Sequence, residues 1–317
     1  QVPLGHTVVD GKIIPSDWMQ IVLGPVQLVR WPHMLLAALL TTSMCVSATG
    51  AWYHLRSVHL DEGRVMLHWG LGLAAVLIPV QLFFGHLTGE YVLKHQPAKF
   101  AAIEARWKNE QPASEVLIAI PDEANERNLY AISVPRLGSF IASGNFTAAE
   151  RGLESFPRED RPPVLIPFFA FRIMVGMGLA MLAVSWFGNL LRWRGRLESS
   201  RWFLWCTFAC FPTGFVAILT GWYTAEIGRQ PWVVYGLLRT RDAVTPSLTT
   251  GDVLSSLVVY VVVYWIFVSF GIYTIYKLLR EGPRARTKAT DKVTGSRPLA
   301  VGARTDAAAN GTRGGAR

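Results

Sequence analysis

The chain has 317 residues, 51% of them hydrophobic, with 12 Trp, 16 Phe and a formal net charge of +9. Apolar runs of about 20 residues, the length that crosses a hydrocarbon core of about 30 Å, place it among all-α integral membrane proteins and argue against nucleic acid as the reason for its basic charge. Its three cysteines, Cys45, Cys206 and Cys210, form no Cys-x-x-Cys-His motif, which excludes thioether-linked haem, and none offers a loop disulfide.

Residues 1–30 read as an extracytoplasmic lead-in lacking the basic and apolar regions of a signal peptide; because the first residue is Gln1, they also read as the start of a fragment or a processed product. A first helix pair over residues 31–84 follows, with spans at Trp31 to Leu55 and Val65 to Phe84. The connection 85–164 is long for two membrane helices, and loops of that length are functional or disordered. Its Ala98 to Trp107 run predicts a helix with Phe100, Ile103 and Trp107 on one face. The second half, with Pro135, Gly138, Gly144, Pro157, Pro162 and Pro163, reads as irregular, and a solvated linker is the plain alternative for the whole. Three further spans are predicted within residues 165–280, at Leu165 to Leu190, Trp202 to Ala225 and Leu254 to Tyr276. Cys206 and Cys210, four apart on one predicted face, read as small packing residues. Residues 281–317 are basic and without apolar periodicity, as in a disordered tail.

The basic residues sort by side. Arg56, Arg64, Arg192, Arg194, Arg196, Arg201, Lys277 and Arg280 gather at one face, the cytoplasmic one under the positive-inside rule, so the connection 85–164 belongs outside. Arg229, Arg239 and Arg241 weaken that asymmetry from the other face.

The run Gly221-Trp222-Tyr223-Thr224-Ala225-Glu226-Ile227-Gly228-Arg229-Gln230-Pro231-Trp232 places a carboxylate and a guanidinium at the mouth of an uncharged span. An ionisable group at membrane depth costs about 2.5–3.5 kcal/mol on insertion scales, which makes it a functional candidate. Alternating helix directions bring His33, Met174 and Glu226 into one layer on the outer side. Imidazole, thioether and carboxylate are all iron ligands, and Arg172 and Arg229 have the planar donor fork that suits a haem propionate. Plainer readings stand beside these: an interfacial His, a packing Met, and a Glu226–Arg229 ion pair set in an aromatic belt. Arg172 resists a plain reading, because no span offers it an acid.

The Gly-Trp-x-x-x-Glu-x-Gly-Arg-Gln-Pro-Trp run, Phe169-Ala170-Phe171-Arg172-Ile173-Met174, Ala98-Lys99-x-Ala101-Ala102-Ile103-Glu104 and the helix carrying His33 together resemble subunit I of cytochrome bd quinol oxidases. The resemblance implies that His33 and Met174 are the axial ligands of a low-spin haem b, that Glu226 is a ligand of a high-spin haem b, and that Trp222 lies in the electron path. It implies that Arg172 and Arg229 support the haems, and that Lys99 and Glu104 belong to the quinol site of the external Q-loop. The third haem is then d or b. The implied partners are subunit II, a small accessory subunit, membrane lipid, ubiquinol or menaquinol, and dioxygen; nucleic acid is not among them. The implied reaction oxidises quinol at the outer face of the bacterial cytoplasmic membrane and reduces dioxygen to water, electrogenically.

The family has nine helices in this subunit, so five spans imply that the last five are present and that another haem ligand and the proton path lie upstream. The Q-loop lacks a long insertion, as in the cyanide-insensitive branch, and His86 stands where many members have Gly-Asp. Two other readings remain: a different haem-bearing, quinone-linked cytochrome, which would need paired histidines that the last three spans lack, and a transporter subunit gated by Glu226 and Arg229.

Overall fold

The computed structural model of the chain describes residues 4–9 and 12–282. A short hairpin, β1 (His6–Val9) and β2 (Lys12–Pro15), leads to α1 (Trp18–Val22). The Asp17 carboxylate accepts from the amides of Met19 at 2.9 Å and Gln20 at 3.1 Å, satisfying donors that a helix start leaves free.

Five helical stretches are long and apolar enough to cross a membrane. The first ends in α2 (Pro25–Arg56) and the second is α3 (Leu60–His95). Asp61 and Glu62 lie in the first turn of α3 and Lys94 and His95 in its last, each sign matching the helix dipole. The sequence predicted that the second span ends at Phe84. The helix instead continues to His95, so Gly85 to Gly89 are helical, His86 Nε2 lies 3.4 Å from Glu90 one turn on, and the connection begins about three turns later. Amphipathic turns can extend a helix beyond its apolar stretch, and hydropathy does not detect them.

The third span, α6 (Leu165–Trp193), lies as predicted. The fourth is broken into α7 (Arg201–Ala209) and α8 (Thr213–Ile227). Pro212 has no amide to donate, and the chain tightens there into three-residue bonds, Phe211 to Phe208 at 3.1 Å and Thr213 to Cys210 at 3.1 Å, before the helix resumes. Cys210 is buried beside the break, whereas Cys206 is exposed, so only one of the pair is a packing residue. The fifth span is α9 (Thr250–Glu281), with none of its residues buried. The chain divides into two units, residues 1–269 and 270–317, and the boundary falls within α9.

In the first unit α2 packs on α3 and α8, and α6 packs on the same two helices, so the four close into a ring with α2 and α6 diagonal to each other. Leu40, Met44, Ala74, Ile78 and Met181 form one core of the bundle, and Leu67, Leu71, Phe203 and Leu204 belong to a second. Small residues permit the close crossing: a Cβ on Gly70 would stand 2.2 Å from the Ser47 hydroxyl. Hydroxyls inside the helices bond back to carbonyls one turn earlier, as Ser47 to Ser43 at 2.7 Å and Thr224 to Thr220 at 2.9 Å, leaving no unmet polar group at those positions.

The long connection is ordered, which overturns the solvated-linker alternative. It starts with α4 (Pro97–Ile103), shorter than the predicted helix because Ala105 adopts a φ of +48°. An antiparallel hairpin, β3 (Glu115–Asp122) and β4 (Arg127–Val134), occupies the middle, and α5 (Leu137–Ser143) follows. The hairpin was not foreseen, since its apolar face is mostly exposed and alternates weakly. Ala101, Ala102, Trp107, Ala119, Leu153 and Phe168 build a third core joining α4, β3 and the start of α6. Trp107 donates to Asn128 at 2.9 Å, Asn128 donates to the Ala105 carbonyl at 2.9 Å, and Glu123 in the hairpin turn accepts the amides of Val164 and Leu165, capping α6. A small pair, β5 (Trp232–Val234) and β6 (Leu238–Arg239), lies between α8 and α9. The predicted tail lies outside the described residues from 283 onward.

Candidate functional site

The ends of α2, α3, α6 and α8 nearest the connection carry the predicted residues. His33 sits one helical turn into the apolar part of α2. Its Nε2 lies 3.3 Å from the Gln81 amide nitrogen on α3, and its Nδ1 is buried with no hydrogen-bond partner. A Cβ on Gly85 would come within 3.3 Å of the imidazole, so the absence of a side chain leaves that ring its room. Met174 projects from α6 toward α8, where a Cβ on Gly221 would stand 2.9 Å from its sulfur. An orphaned imidazole nitrogen and a thioether, on diagonal helices and each beside a glycine, are donors that would suit a haem iron.

Glu226 and Arg229 form the ion pair that the plain reading anticipated, at 2.7 Å and part-buried. The Arg229 Nε is buried and unpartnered, so the pair still leaves a donor unused. Trp222 is 59% exposed and stacks on Tyr223 with ring centres 6.0 Å apart; its indole faces away from the bundle interior of the described chain.

Lys99 and Glu104 lie at the two ends of α4, and both are buried. The Lys99 Nζ donates to the Ala225 carbonyl at 2.9 Å, and its stem packs on Gly228, where a Cβ would stand 3.2 Å away. The loop lysine therefore docks on the end of α8 beside Glu226. Burial, with help from Arg30, brings its ammonium down to about 7, against the pull of Glu226 and with a further push from Arg229.

Glu104 faces a different partner. Arg172 Nη2 lies 3.2 Å from its carboxylate and 3.6 Å from that of Glu115. The same guanidinium donates to the carbonyls of Ile103 at 2.9 Å, Leu117 at 3.1 Å and Phe168 at 3.3 Å, donates also to the carbonyl of Val116, and lies 3.6 Å over the Phe168 ring. No span offers Arg172 an acid, as the sequence indicated; instead the loop folds onto α6 and supplies two carboxylates and a set of main-chain acceptors. Distance in sequence hid the pairing, since these partners lie between 55 and 69 residues from Arg172.

Glu115 was not singled out from the sequence. Burial pushes its carboxyl up to about 8, and Glu104, by charge and by hydrogen bond, pushes it in the same direction against Arg172 and Arg106. Arg106, 4% exposed, lies 3.9 Å from Glu150, and its Nη1 makes no hydrogen bond. A charge at the start of a strand would have been the available signal for Glu115, but nothing local separates it from an exposed glutamate.

A multi-pass helical membrane protein with a docked, charge-bearing loop over its bundle end is the class that this geometry defines. Residues 1–283 match the family described as cytochrome bd terminal oxidase subunit I, and the chain belongs to that family. It is 32% identical over 294 residues to cytochrome bd ubiquinol oxidase subunit 1 of Bacillus subtilis (strain 168), covering 89% of this chain and 62% of that protein. It is 27% identical over 353 residues to cytochrome bd-II ubiquinol oxidase subunit 1 of Escherichia coli (strain K12), covering 90% and 68%. The solved structure of bd oxidase from Geobacillus thermodenitrificans superposes with a TM-score of 0.79 at 25% identity, over 89% of this chain and 64% of that one. The chain thus spans about three-fifths of the length of the first of these relatives.

Proposed function

We propose that the chain is the quinol-oxidising, electron-input part of a bd-type quinol:oxygen oxidoreductase in a bacterial cytoplasmic membrane, working with subunit II. The observation that carries this reading is the bond from Lys99 to the Ala225 carbonyl, which sets a quinol-loop residue against the helix end that carries Glu226. His33 and Met174 would hold a low-spin haem b, and Glu226 would serve a high-spin haem b once released from Arg229. The bound haems supply one-electron acceptance and oxygen reduction.

The chain's own residues do the rest. Quinol oxidation releases two protons, which need basic groups beside the ring. Glu104 accepts a proton from a quinol hydroxyl, and the buried Lys99 donates a hydrogen bond to a ring oxygen. Arg172 holds Glu104 in place, and Arg229 balances the charge of Glu226. The loop side is extracytoplasmic and the arginine-rich side cytoplasmic, so that protons released at the loop, with those for water formation taken from the cytoplasm, make the reaction electrogenic. Ubiquinol and menaquinol both suit such a site.

The test is a dithionite-reduced minus oxidised spectrum of the purified complex, together with its quinol-driven oxygen uptake. Low-spin and high-spin haem bands with quinol-dependent uptake support the reading, and a preparation without haem bands ends it.

A further inference from the structure

The quinol-site reading of Glu104 leaves unexplained why a second carboxyl is buried against it. Glu115 opens β3, where its backbone pairs with Val134, and its carboxyl meets that of Glu104 within hydrogen-bonding reach. Two carboxylates cannot bond to each other unless one carries a hydrogen. Arg172 reaches both, at 3.2 and 3.6 Å, and also holds the next carbonyl of the strand, so the pair is fixed in place and is not a chance approach of mobile side chains. The charged groups around the pair are Arg172 from α6 and Arg106 from the turn after α4, with Glu150 against Arg106. Glu104, Glu150 and the part-buried Glu115 face the buried Arg106 and the part-buried Arg172, and a single shared hydrogen makes the group neutral; an uncompensated buried charge is strongly disfavoured.

The other side of Glu104 opens on a cavity of about 170 Å³, whose lining includes Arg106, Glu110, Ser114, Glu126 and Asn128. That volume has room for about five waters at the liquid share of about 30 Å³ each. Arg106, a side chain 3% exposed, belongs to the same wall, and its Nη1, 3.9 Å from Glu150, makes no hydrogen bond within the protein, so water in the cavity can serve it. Glu110 and Glu126, both part-exposed, stand where the cavity meets the surface of the loop.

We propose that Glu115 is a positioning residue for proton release: by sharing a hydrogen with Glu104 beneath Arg172, it sets when Glu104 takes a quinol proton and hands it to water in the adjoining cavity. Oxidation of one quinol to quinone gives two electrons to the haems and two protons. For each proton carried by this route, the hydroxyl O–H bond breaks, an O–H bond forms on Glu104, and the pair goes from one hydrogen to two. One of them then leaves through the cavity toward Glu110 and Glu126, and the pair returns to one.

The test uses the haem-loaded complex with Glu115→Gln, Glu115→Asp and Glu104→Gln. Readouts are kcat and KM for quinol across pH, the protonated-carboxyl band in the infrared difference spectrum, the haem bands, and oxygen uptake driven by a one-electron dye that bypasses quinol. Support is a roughly tenfold fall in quinol kcat/KM in Glu115→Gln, with one ionisation and the carboxyl band lost, recovery of both in Glu115→Asp, and haem bands and dye-driven uptake at wild-type level. A wild-type pH profile and carboxyl band in Glu115→Gln, beside an impaired Glu104→Gln, overturns the role of Glu115 alone. Wild-type quinol kinetics in Glu104→Gln overturns the quinol-site reading and this inference with it. Loss of haem bands in both Glu115 variants assigns the residue to loop docking and also overturns the proposal.

Discussion

The Nζ of Lys99 and the carbonyl of Ala225 lie 2.9 Å apart, joining the start of the loop helix α4 to the last turn of α8. A buried cation on a helix C-terminus favours the negative end of the dipole. The bond also ties the loop to the end of the helix that carries Glu226.

Lys99→Met removes the donor and keeps the apolar stem. The apparent KM for quinol should rise about tenfold, the loss expected for about 1.4 kcal/mol of charged hydrogen bonding, while the haem difference spectrum stays as in wild type. Steady-state oxygen uptake against quinol concentration measures it. Unchanged quinol kinetics would remove Lys99 from the site.

Met174→Leu preserves volume and deletes the sulfur. The low-spin haem b band should vanish or shift, with its midpoint potential lowered, in a chain that still inserts. Gly221→Val should act on the same band, because a side chain there collides with the Met174 sulfur, at 2.9 Å for the Cβ alone. Redox titration followed by absorbance decides, and wild-type bands in Met174→Leu would refute the ligand assignment.

Arg172→Leu leaves Glu104 and Glu115 buried without their cation and frees the carbonyls of Ile103, Val116 and Leu117. Breaking a buried pair from one side costs about 3–5 kcal/mol, here enough to undock the loop. Protease cleavage within residues 96–164 should quicken strongly, and Arg172→Lys should recover only part of the protection, since an ammonium cannot span the same acceptors. Cleavage at the wild-type rate in Arg172→Leu would show that the hydrophobic core of the loop suffices.

Glu115 and Lys99 act on stability with opposite sign and in different pH windows. Glu115 is raised from 4.5 to about 8, so the folded loop binds its proton more tightly than the unfolded one, and its contribution falls as pH climbs between those values. Lys99 is lowered from 10.5 to about 7, so the folded state binds fewer protons there, and its contribution rises with pH above about 7. Between about pH 5 and 7 Lys99 does not oppose Glu115, and Glu150, which burial also raises, acts in the same direction as Glu115. Amide hydrogen exchange in β3 should therefore speed up from pH 5 to 7 after correction for the intrinsic rate, and Glu115→Gln should flatten that trend. A corrected rate that does not vary with pH in the wild-type loop would count against the buried shared hydrogen.

All five spans were legible in the sequence because membrane hydropathy is a composition signal that needs no tertiary information. Their ends were less so: the turns from Gly85 to His95 are amphipathic, and the break at Pro212 was passed over because the flanking residues are uniformly apolar. The residues proposed for iron and quinol came from motifs, and the structure gathers them at one end of the bundle. What stayed hidden was pairing at a distance. Nothing near Arg172 in the chain announces Glu104, and nothing near Glu115 announces either. The hairpin escaped for a related reason, since its strands bury few side chains and its stability comes from Trp107, Asn128 and the capping of α6 by Glu123.

Arg172 grips the loop mostly through main-chain oxygens, those of Ile103, Val116 and Leu117, alongside its two carboxylate partners. Carbonyl oxygens are common to every amino acid, so this clasp is blind to the identity of the residues that it holds. Substitution of other residues along the strand leaves that part of the grip intact, while Glu104, Glu115 and the arginine itself have no such freedom. A segment anchored in this way can change its side chains and keep one seat on the helix that bears Met174.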